Sequence, residues 1–321
     1  MLQNKRLSTA PMIDWTLPEY LYLARLCNPE AYVYSEMIST SAILNGDTAR
    51  LLRLYERTHP VVLQLGGSDP KALATCARLG AAAGFDEINL NVGCPSDRVQ
   101  HYEIGACLMA YPKRVGQMVA AMQAAVDVPV TVKHRIGIDE FDSYAFMRDF
   151  VGEVAAAGCR HVIVHARIAW LQGLSPKQNR EIPPLRYAEV YRLKREFPDL
   201  LVEINGGITT LDAISEHLQH VDGVMIGREA YHNPYILAQA MTLWGKTPPT
   251  RAQVFNGWLE FLADCERRDM PLNLVVRHGL GLFQGLAGAR KWRQALSGQK
   301  SLTLSQIQAA GEAVLRQNDL L

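Results

Sequence analysis

The sequence predicts a (β/α)₈ (TIM) barrel followed by a C-terminal all-helical domain. Eight short apolar, β-branched segments recur within roughly the first 235 residues, and helical patterns separate them. Most of these segments begin uniformly apolar and end in polar residues or glycine, as parallel strands covered on both faces do. After Pro234 the strand-like segments stop and only helical patterns remain. We therefore expect a barrel over residues 1–235 and a helical domain over residues 236–321.

The strands and helices of the barrel can be assigned in chain order. Asp69 stands in the N-cap position and Pro70 in the first helical position of a helix over residues 69–85, and residues 142–159 have a similar pattern. A doubly wound open sheet is the alternative fold, but it favours a G-x-G-x-x-G turn after its first strand, which is absent here. The predicted strands are residues 6–12, 31–37, 61–67, 87–95, 130–137, 161–167, 200–207 and 223–229.

The C-terminal residues have the apolar spacing of helices. This spacing is clearest over residues 252–269 and 304–318. The segment KTPPT, residues 246–250, predicts a linker or a helix stop. Residues 236–321 contain ten Lys or Arg and six Asp or Glu, whereas the rest of the chain contains 23 and 26. This mildly basic tail permits contact with a nucleic acid, and a solvated helical face would explain it equally well.

The overall composition is that of an ordinary soluble protein. The apolar fraction is 48%, the charged fraction is 20%, and no apolar run approaches the roughly 20 residues that span a bilayer. Since the N-terminus has no signal-peptide core, we expect a cytoplasmic protein. A disulfide framework or zinc site is not expected, because the cysteines lack both the context and the spacing. The six cysteines are Cys27, Cys76, Cys94, Cys107, Cys159 and Cys265.

Glycines and an arginine follow the last two predicted strands. Gly206 and Gly207 come after the seventh, and Gly227 and Arg228 come after the eighth. Loops in these positions of a barrel often bind a phosphate group with backbone N–H groups. The glycines would let the backbone approach the phosphate, and Arg228 would add charge and a bidentate fork. The alternative is that the paired glycines only make tight turns.

Polar residues in other predicted strands suggest what the phosphate belongs to. Lys133 would point into the barrel mouth, where it needs an anionic or strongly polar partner, and Gln64 and His165 add hydrogen-bonding groups. A phosphate near polar groups around a flat ring suits FMN, whose electron-rich reduced ring a lysine can stabilise. A structural ion pair is the alternative for Lys133, and a satisfied core position is the alternative for His165.

Cys94 stands between Gly93 and Pro95 at the end of the fourth predicted strand. A thiol with the ordinary pKa of about 8.5 is mostly protonated near neutral pH, so beside a hydride donor it could act as a general acid. A nucleophile is the rival role, and a buried inert cysteine is the third possibility. Asn91, just before it, could hydrogen-bond the edge of a ring.

Several of these segments resemble the tRNA-dihydrouridine synthases, and specifically their A-type subfamily. The resemblance extends from about Arg6 to Trp292. Its most specific parts are GCPSDRV followed by GACLM, and NREIPPLRY. The tail segment HGLGLFQGLAGARKWRQ matches as well. The other matching segments are APM, LQLGG, EINLNV, VTVKHRIGID, HAR, LSPKQ, INGGI and DGVMIGREAYHNP.

The resemblance implies a flavin enzyme that reduces the C5–C6 bond of uridines 20 and 20a in the tRNA D-loop, with NADPH reloading FMN. Cys94 takes the position of the family's catalytic cysteine, which gives a proton to C5 while reduced flavin gives a hydride to C6. The implied partner is tRNA, and we expect a monomer without a metal or a membrane contact. The implied FMN contacts are Pro11, Met12, Gln64, Lys133, His165, Asn205, Gly206, Gly207, Gly227 and Arg228. The implied tRNA contacts are Asn91, Lys177, Arg180, Arg290 and Arg293.

The sequence departs from the family pattern at three places, one of which is His134, where threonine is common. Residues 100–104, QHYEI, replace a stretch that usually contains glycine and phenylalanine, in the loop after Cys94. Ile168 stands where lysine is common, which removes one potential RNA contact.

Two other functions stay open at this point. The chain could be an FMN barrel oxidoreductase that acts on a small molecule, although such an enzyme gains nothing from Arg290 and Arg293. It could also be a tRNA-binding protein that carries out no reduction, in which case the purified protein would be colourless if flavin were absent.

Overall fold

Eight parallel strands form one sheet in the computed structural model, which describes residues 5–96 and 103–321. The strands are β1 (Arg6–Thr9), β2 (Val33–Ser39), β3 (Val61–Gly66), β4 (Glu87–Val92), β5 (Val130–Arg135), β6 (His161–His165), β7 (Leu201–Asn205) and β8 (Gly223–Ile226). Their order in the sheet is β1-β8-β7-β6-β5-β4-β3-β2. Each predicted strand overlaps one observed strand.

Tyr32 closes the sheet into a barrel. The backbone N–H of Thr9 donates to the Tyr32 carbonyl, and the Tyr32 N–H donates to the Leu7 carbonyl, both at 2.9 Å. These bonds join β1 to the residue just before β2, so the two ends of the sheet meet. The predicted (β/α)₈ barrel is therefore confirmed, and the doubly wound alternative is wrong.

Helices surround the barrel and bury its outer face. They are α1 (Pro18–Cys27), α2 (Thr40–Asn45), α3 (Thr48–Leu51), α4 (Pro70–Ala82), α5 (Pro112–Gln123), α6 (Tyr144–Ala156), α7 (Tyr187–Glu196), α8 (Leu211–Leu218) and α9 (Arg228–His232). The Asp69 carboxylate caps α4 as predicted, accepting from the Ala72 N–H at 2.7 Å. Ser143 caps α6 in the same way, so this helix begins within the predicted residues 142–159. The main apolar core lies between these helices and the strands.

The C-terminal residues are helical, as predicted. The helices are α10 (Tyr235–Ala240), α11 (Arg251–Arg267), α12 (Leu272–Val276), α13 (Ala289–Leu296) and α14 (Leu304–Gln317). Gly311 lets α14 lie against α11, because a Cβ there would be 2.1 Å from Cζ of Phe255. The rings of Phe261 on α11 and Tyr22 on α1 stack with centroids 4.2 Å apart, so this region also packs on the barrel. The division into domains at residues 235 and 236 stays a prediction.

In the parts of the chain that the structure describes, no helix combines the length and the apolar character needed to cross a lipid bilayer.

Candidate active site

A cavity of about 470 Å³ opens at the carboxyl ends of the strands. It is lined by Cys94, Asn91, Arg180 and every residue that was predicted to contact FMN. The parallel register explains why they meet, because it pairs Asn91 with Lys133 and His165 with Asn205 on neighbouring strands. The structure thus brings these residues to one place, while their individual roles stay predictions.

A second cavity, of about 610 Å³, lies at the opposite end of the barrel. Its lining includes Lys5, Tyr32, His161 and Asp222. It contains no residue of the predicted site, so the smaller cavity at the mouth is the candidate active site.

Asn91 holds the backbone that carries the thiol. Its Oδ1 accepts hydrogen bonds from the backbone N–H groups of Gly93 and Cys94, each at 3.0 Å. Its Nδ2 donates to Oε1 of Gln64 at 2.8 Å. Because these bonds turn the chain away from the ladder, β4 ends at Val92 rather than at the predicted residue 95.

A chain of hydrogen bonds inside the barrel fixes the orientation of Asn91. Nε2 of Gln64 donates to Oδ1 of Asn89 at 2.8 Å, and Nδ2 of Asn89 donates to Oγ1 of Thr131 at 2.9 Å. The Thr131 hydroxyl donates to the Glu87 carboxylate at 2.8 Å. Since a carboxylate only accepts, Glu87 sets the direction of every bond in the series. We call these five residues the amide relay.

The loop after Cys94 is held against its carbonyl. The Cys94 oxygen accepts from the Ala106 N–H at 2.9 Å. Gly105 makes this approach possible, because its φ is +86° and a Cβ there would lie 2.4 Å from that oxygen. The GACLM segment therefore supports the position of Cys94. Within the 100–104 stretch that departs from the family pattern, residues 100–102 lie outside the described residues.

The surroundings of Cys94 keep its thiol protonated. Burial raises the pKa of the thiol, and a backbone hydrogen bond from Ser96 and the charges of Arg135, Arg180 and Lys133 oppose this effect without overcoming it. Cys94 is half-buried and lines the cavity. In this it differs from four buried cysteines, Cys27, Cys76, Cys159 and Cys265. The arrangement suits a proton donor better than an inert core cysteine.

Lys133 lies in the cavity without a carboxylate partner. Its Nζ donates to Oδ1 of Asn205 at 3.2 Å, and within residues 5–96 and 103–321 no carboxylate oxygen lies within 4.0 Å of it. Burial lowers the pKa of Lys133 to about 7, and Arg135 acts in the same direction. An amine in this state is only partly protonated at neutral pH and would gain a proton when an anionic group binds beside it. The structural ion pair considered above is not formed.

Gly206 and Gly207 make the cavity floor beside His165. Their φ angles are +117° and +71°, and a Cβ at Gly206 would lie 2.7 Å from Cδ2 of His165. A Cβ at Gly207 would lie 2.6 Å from Cδ1 of Leu185. Both positions therefore require glycine, and they keep consecutive backbone amides free of side chains. Burial, followed by the charge of Arg135, lowers the pKa of His165 well below its usual range, so its ring is neutral.

Arg228 starts α9 and is paired across the mouth. Its Nη1 donates to Oε1 of Glu181 at 2.7 Å, and both side chains are exposed. A phosphate at Gly206 and Gly207 would compete with Glu181 for this guanidinium.

Arg135 was placed in the fifth strand by the sequence but given no role. Its buried guanidinium donates to the carbonyls of Gly93 at 3.1 Å, Asn179 at 3.0 Å and Ile168 at 3.3 Å. It therefore ties the Cys94 segment to the loop after β6. The sequence contains a signal for this residue. Arg135 is two residues after Lys133, so the alternation of side chains along a strand places both on the same face.

The other predicted tRNA contacts lie outside the cavity. Lys177 is exposed and directly precedes the short 3₁₀ helix Gln178–Arg180 in the loop after β6. Arg290 and Arg293 are three residues apart on α13 and so share a face. Nη1 of Arg293 donates to Oε1 of Gln284 at 2.9 Å, and no ion pair involves either arginine in the described structure.

The sequence is similar to that of known proteins over most of its length. Residues 8–318 match the profile of the family described as Dihydrouridine synthase (Dus). A Shewanella oneidensis protein called tRNA-dihydrouridine(20/20a) synthase is 54% identical over 297 residues, which are 92% of this chain and 88% of that protein. Proteins of the same name from Pseudomonas syringae pv. tomato and Vibrio vulnificus are 55% and 52% identical, each over 92% of this chain and over 88% and 92% of their own lengths.

Proposed function

Because the chain belongs to the dihydrouridine synthase family, we propose that it reduces the C5–C6 double bond of uridine to dihydrouridine at positions 20 and 20a of the tRNA D-loop. The similar proteins carry these positions in their names. The observation that carries the proposal is the shared cavity of Cys94, Lys133, His165 and the Gly206–Gly207 pair.

The residues of the cavity fit FMN as the cofactor, and NADPH is the proposed reductant. A volume of about 470 Å³ lies within the usual range of cofactor pockets. The glycine pair leaves space that any Cβ would fill, which suits the phosphate end, with Arg228 beside it. Lys133 and neutral His165 would hold the ring end. Pro11, Met12, Gln64, Asn205 and Gly227 complete the proposed contacts.

Cys94 supplies the proton in the proposed reaction. FMN held by these residues and reduced by NADPH would provide the hydride for C6 of the uracil. The Cys94 thiol gives its proton to C5, so that one hydride and one proton together saturate the double bond. The thiolate left behind would be stabilised by Arg135, Arg180 and Lys133, the cations whose charges partly offset the effect of burial on the Cys94 pKa. It then regains a proton from water before the next turnover.

Asn91 can serve both the cysteine and the substrate. Its oxygen is occupied by two backbone N–H groups, and one of its two Nδ2 hydrogens is donated to Gln64. The remaining hydrogen is available to a carbonyl of the uracil. Asn91 would thereby position the pyrimidine ring relative to the Cys94 thiol.

The tRNA must deliver its uridine into the cavity. A base inside a stack cannot reach these groups, so the target nucleotide is extruded, at a cost of a few kcal/mol. Lys177 and Arg180 would contact the backbone near the mouth, and Arg290 and Arg293 would hold phosphates farther away. Residues 236–321 would thus act as the tRNA-binding domain beside the catalytic residues 1–235. The monomeric state, the cytoplasmic location and the absence of a metal stay predictions.

The direct test is to map dihydrouridine in tRNA from cells with and without this protein. We expect positions 20 and 20a to lose the modification when the protein is absent and to regain it when the gene is restored. Purified protein should be yellow and should convert uridine in an unmodified tRNA when NADPH is added. A colourless protein that binds tRNA and leaves its uridines unchanged would instead support the tRNA-binding alternative.

A further inference from the structure

Two large aromatic side chains are exposed on neighbouring loops at the carboxyl end of the barrel. Phe141, in the loop after β5, is 50% exposed, and Trp170, in the loop after β6, is 44% exposed. Both loops follow strands whose ends line the candidate active site. We call Phe141 and Trp170 the aromatic rim.

Backbone hydrogen bonds join the two loops into a small sheet. Ile138 and Phe141 exchange backbone bonds at 2.8 and 3.2 Å. The Ala169 N–H donates to the Gly137 carbonyl and the Asp139 N–H donates to the Ala169 carbonyl, both at 2.9 Å. Residues 137–139 therefore bond both to Phe141 and to Ala169, the residue before Trp170. The two aromatic residues thus stand on loops that are hydrogen-bonded to each other.

Defined contacts hold the Trp170 backbone and the Phe141 ring. Oδ1 of Asn179 accepts from the Trp170 N–H at 2.8 Å, and Nδ2 of Asn179 donates to the Trp170 carbonyl at 2.8 Å. Asn179 is fully buried. The Phe141 ring stacks on Phe146 with centroids 5.4 Å apart and an interplanar angle of 22°. A buried amide thus holds the backbone that presents the exposed Trp170 ring, and an exposed apolar ring on a fixed loop suits a binding surface.

The aromatic rim is also connected to the Cys94 segment. Arg135 donates to the carbonyl of Asn179, which brackets Trp170, and to the carbonyl of Gly93, which precedes Cys94. One buried side chain thereby links the loop that carries Trp170 to the segment that carries Cys94. Exposed Lys177 and Arg180 lie in the same loop as Trp170. Flat apolar rings beside cations match the alternating bases and phosphates of a single-stranded nucleic acid.

We propose that the aromatic rim stacks with the nucleobases that flank the target uridine in the D-loop. Extrusion of the uridine leaves its neighbours without a stacking partner. Phe141 and Trp170 would replace that partner, and because every base has a π-face they would do so without reading the sequence. This inference rests on the proposed function, since it takes the uridine in the cavity as the reference point.

The test measures tRNA affinity over a series of salt concentrations for the holoenzyme and its variants. Trp170→Ala and Phe141→Ala should each weaken binding by about tenfold, the usual effect of removing one base–aromatic stack. The slope of log K against log salt should not change, because stacking releases no counterions. Trp170→Phe should restore most of the affinity. Leu201→Ala is the matched control, since Leu201 is 49% exposed at the opposite end of the barrel.

The outcomes separate this inference from the proposed function. Affinity at the wild-type level in both alanine variants would overturn the role of the aromatic rim. A smaller salt slope in those variants would also overturn it, because the weaker binding would then come from missing phosphate interactions. Dihydrouridine formation by the wild-type enzyme is measured separately. If that activity were absent while the alanine variants still bound tRNA more weakly at a constant slope, the proposed reaction would be wrong and the stacking surface would stand.

Discussion

The side-chain oxygen of Asn91 accepts a hydrogen bond from the backbone N–H of Cys94 at 3.0 Å. This bond holds the Cys94 backbone just beyond the end of β4, and the amide relay orients Asn91 so that its oxygen, rather than its nitrogen, faces that backbone. The relay begins at Glu87, at the other end of the same strand. The position of the thiol is thus determined along the whole length of β4.

The amide relay can be interrupted far from the cavity. Thr131→Val removes the acceptor of Asn89 and the donor to Glu87 while keeping the side-chain shape, so the three amides lose their common direction. We expect stability to fall by about 1–3 kcal/mol, as for other unsatisfied buried groups, and dihydrouridine formation to fall more than flavin binding. Thr242→Val, on an exposed hydroxyl, is the control. Wild-type activity in the Thr131 variant would show that the direction of the relay has no effect on Cys94.

The raised pKa of Cys94 can be tested by measuring how fast its thiol is alkylated at different pH values. Only the thiolate reacts with iodoacetamide, so the alkylation rate of Cys94 should rise only at a pH above the ordinary thiol value of about 8.5. The protonated thiol is the active form, so the rate of uridine reduction should hold at neutral pH and fall as the pH passes the same midpoint. Mass spectrometry of the Cys94 peptide over a pH series gives the alkylation profile. A midpoint well below about 8 would contradict the proton-donor role.

Lys133 makes flavin binding depend on pH. Its pKa is lowered to about 7. The ring end that Lys133 would hold is uncharged in oxidised FMN but anionic in the reduced form, so reduced FMN would raise this pKa again and its binding would take up a proton near neutral pH. We expect the affinity of the apoprotein for reduced FMN to fall as the pH rises above about 7, and anaerobic calorimetry in buffers of different ionisation enthalpy should detect the proton uptake. Lys133→Met should bind FMN more weakly and without this pH dependence. Equal proton uptake by the variant would assign the effect to another group.

Arg290 and Arg293 are predicted to bind phosphates through one face of α13. Changing both to Ala should flatten the salt dependence of tRNA binding by roughly 0.7–0.9 log units of slope for each phosphate that is no longer neutralised. The control removes two other exposed arginines of the C-terminal region, Arg267 and Arg268, which already pair with Asp264. If both double variants gave the same slope, α13 would hold no specific part of the tRNA.

The sequence predicts the fold well because the fold depends on local patterns. Strands with apolar faces on both sides and helices with clear caps, such as Asp69 before α4, are visible in short segments. The residues of the site follow from the fold, because the carboxyl ends of parallel strands meet at one mouth.

The hydrogen bonds within the site could not be predicted in the same way. The sequence predicts that Asn91 contacts a ring edge or the tRNA, yet its side-chain oxygen accepts hydrogen bonds from the backbone N–H groups of Gly93 and Cys94. Arg135 bonds to Asn179, which is 44 residues away, and Arg228 pairs with Glu181, 47 residues away. Such partners depend on how separate loops are placed in the folded chain. Residues that meet in this way are not spaced at any regular interval in the sequence.

The role of Cys94 as proton donor is tested most directly by the Cys94→Ala variant, compared with Cys107→Ala, which changes another half-buried cysteine nearby. We expect both proteins to stay yellow and to be reduced by NADPH. The Cys94 variant should form dihydrouridine at positions 20 and 20a about 10²–10⁴ times more slowly than the wild type, which is the usual contribution of a general acid, whereas the Cys107 variant should be nearly unaffected. Uridine reduction at the wild-type rate by the Cys94 variant would contradict the assignment of this thiol as the proton donor.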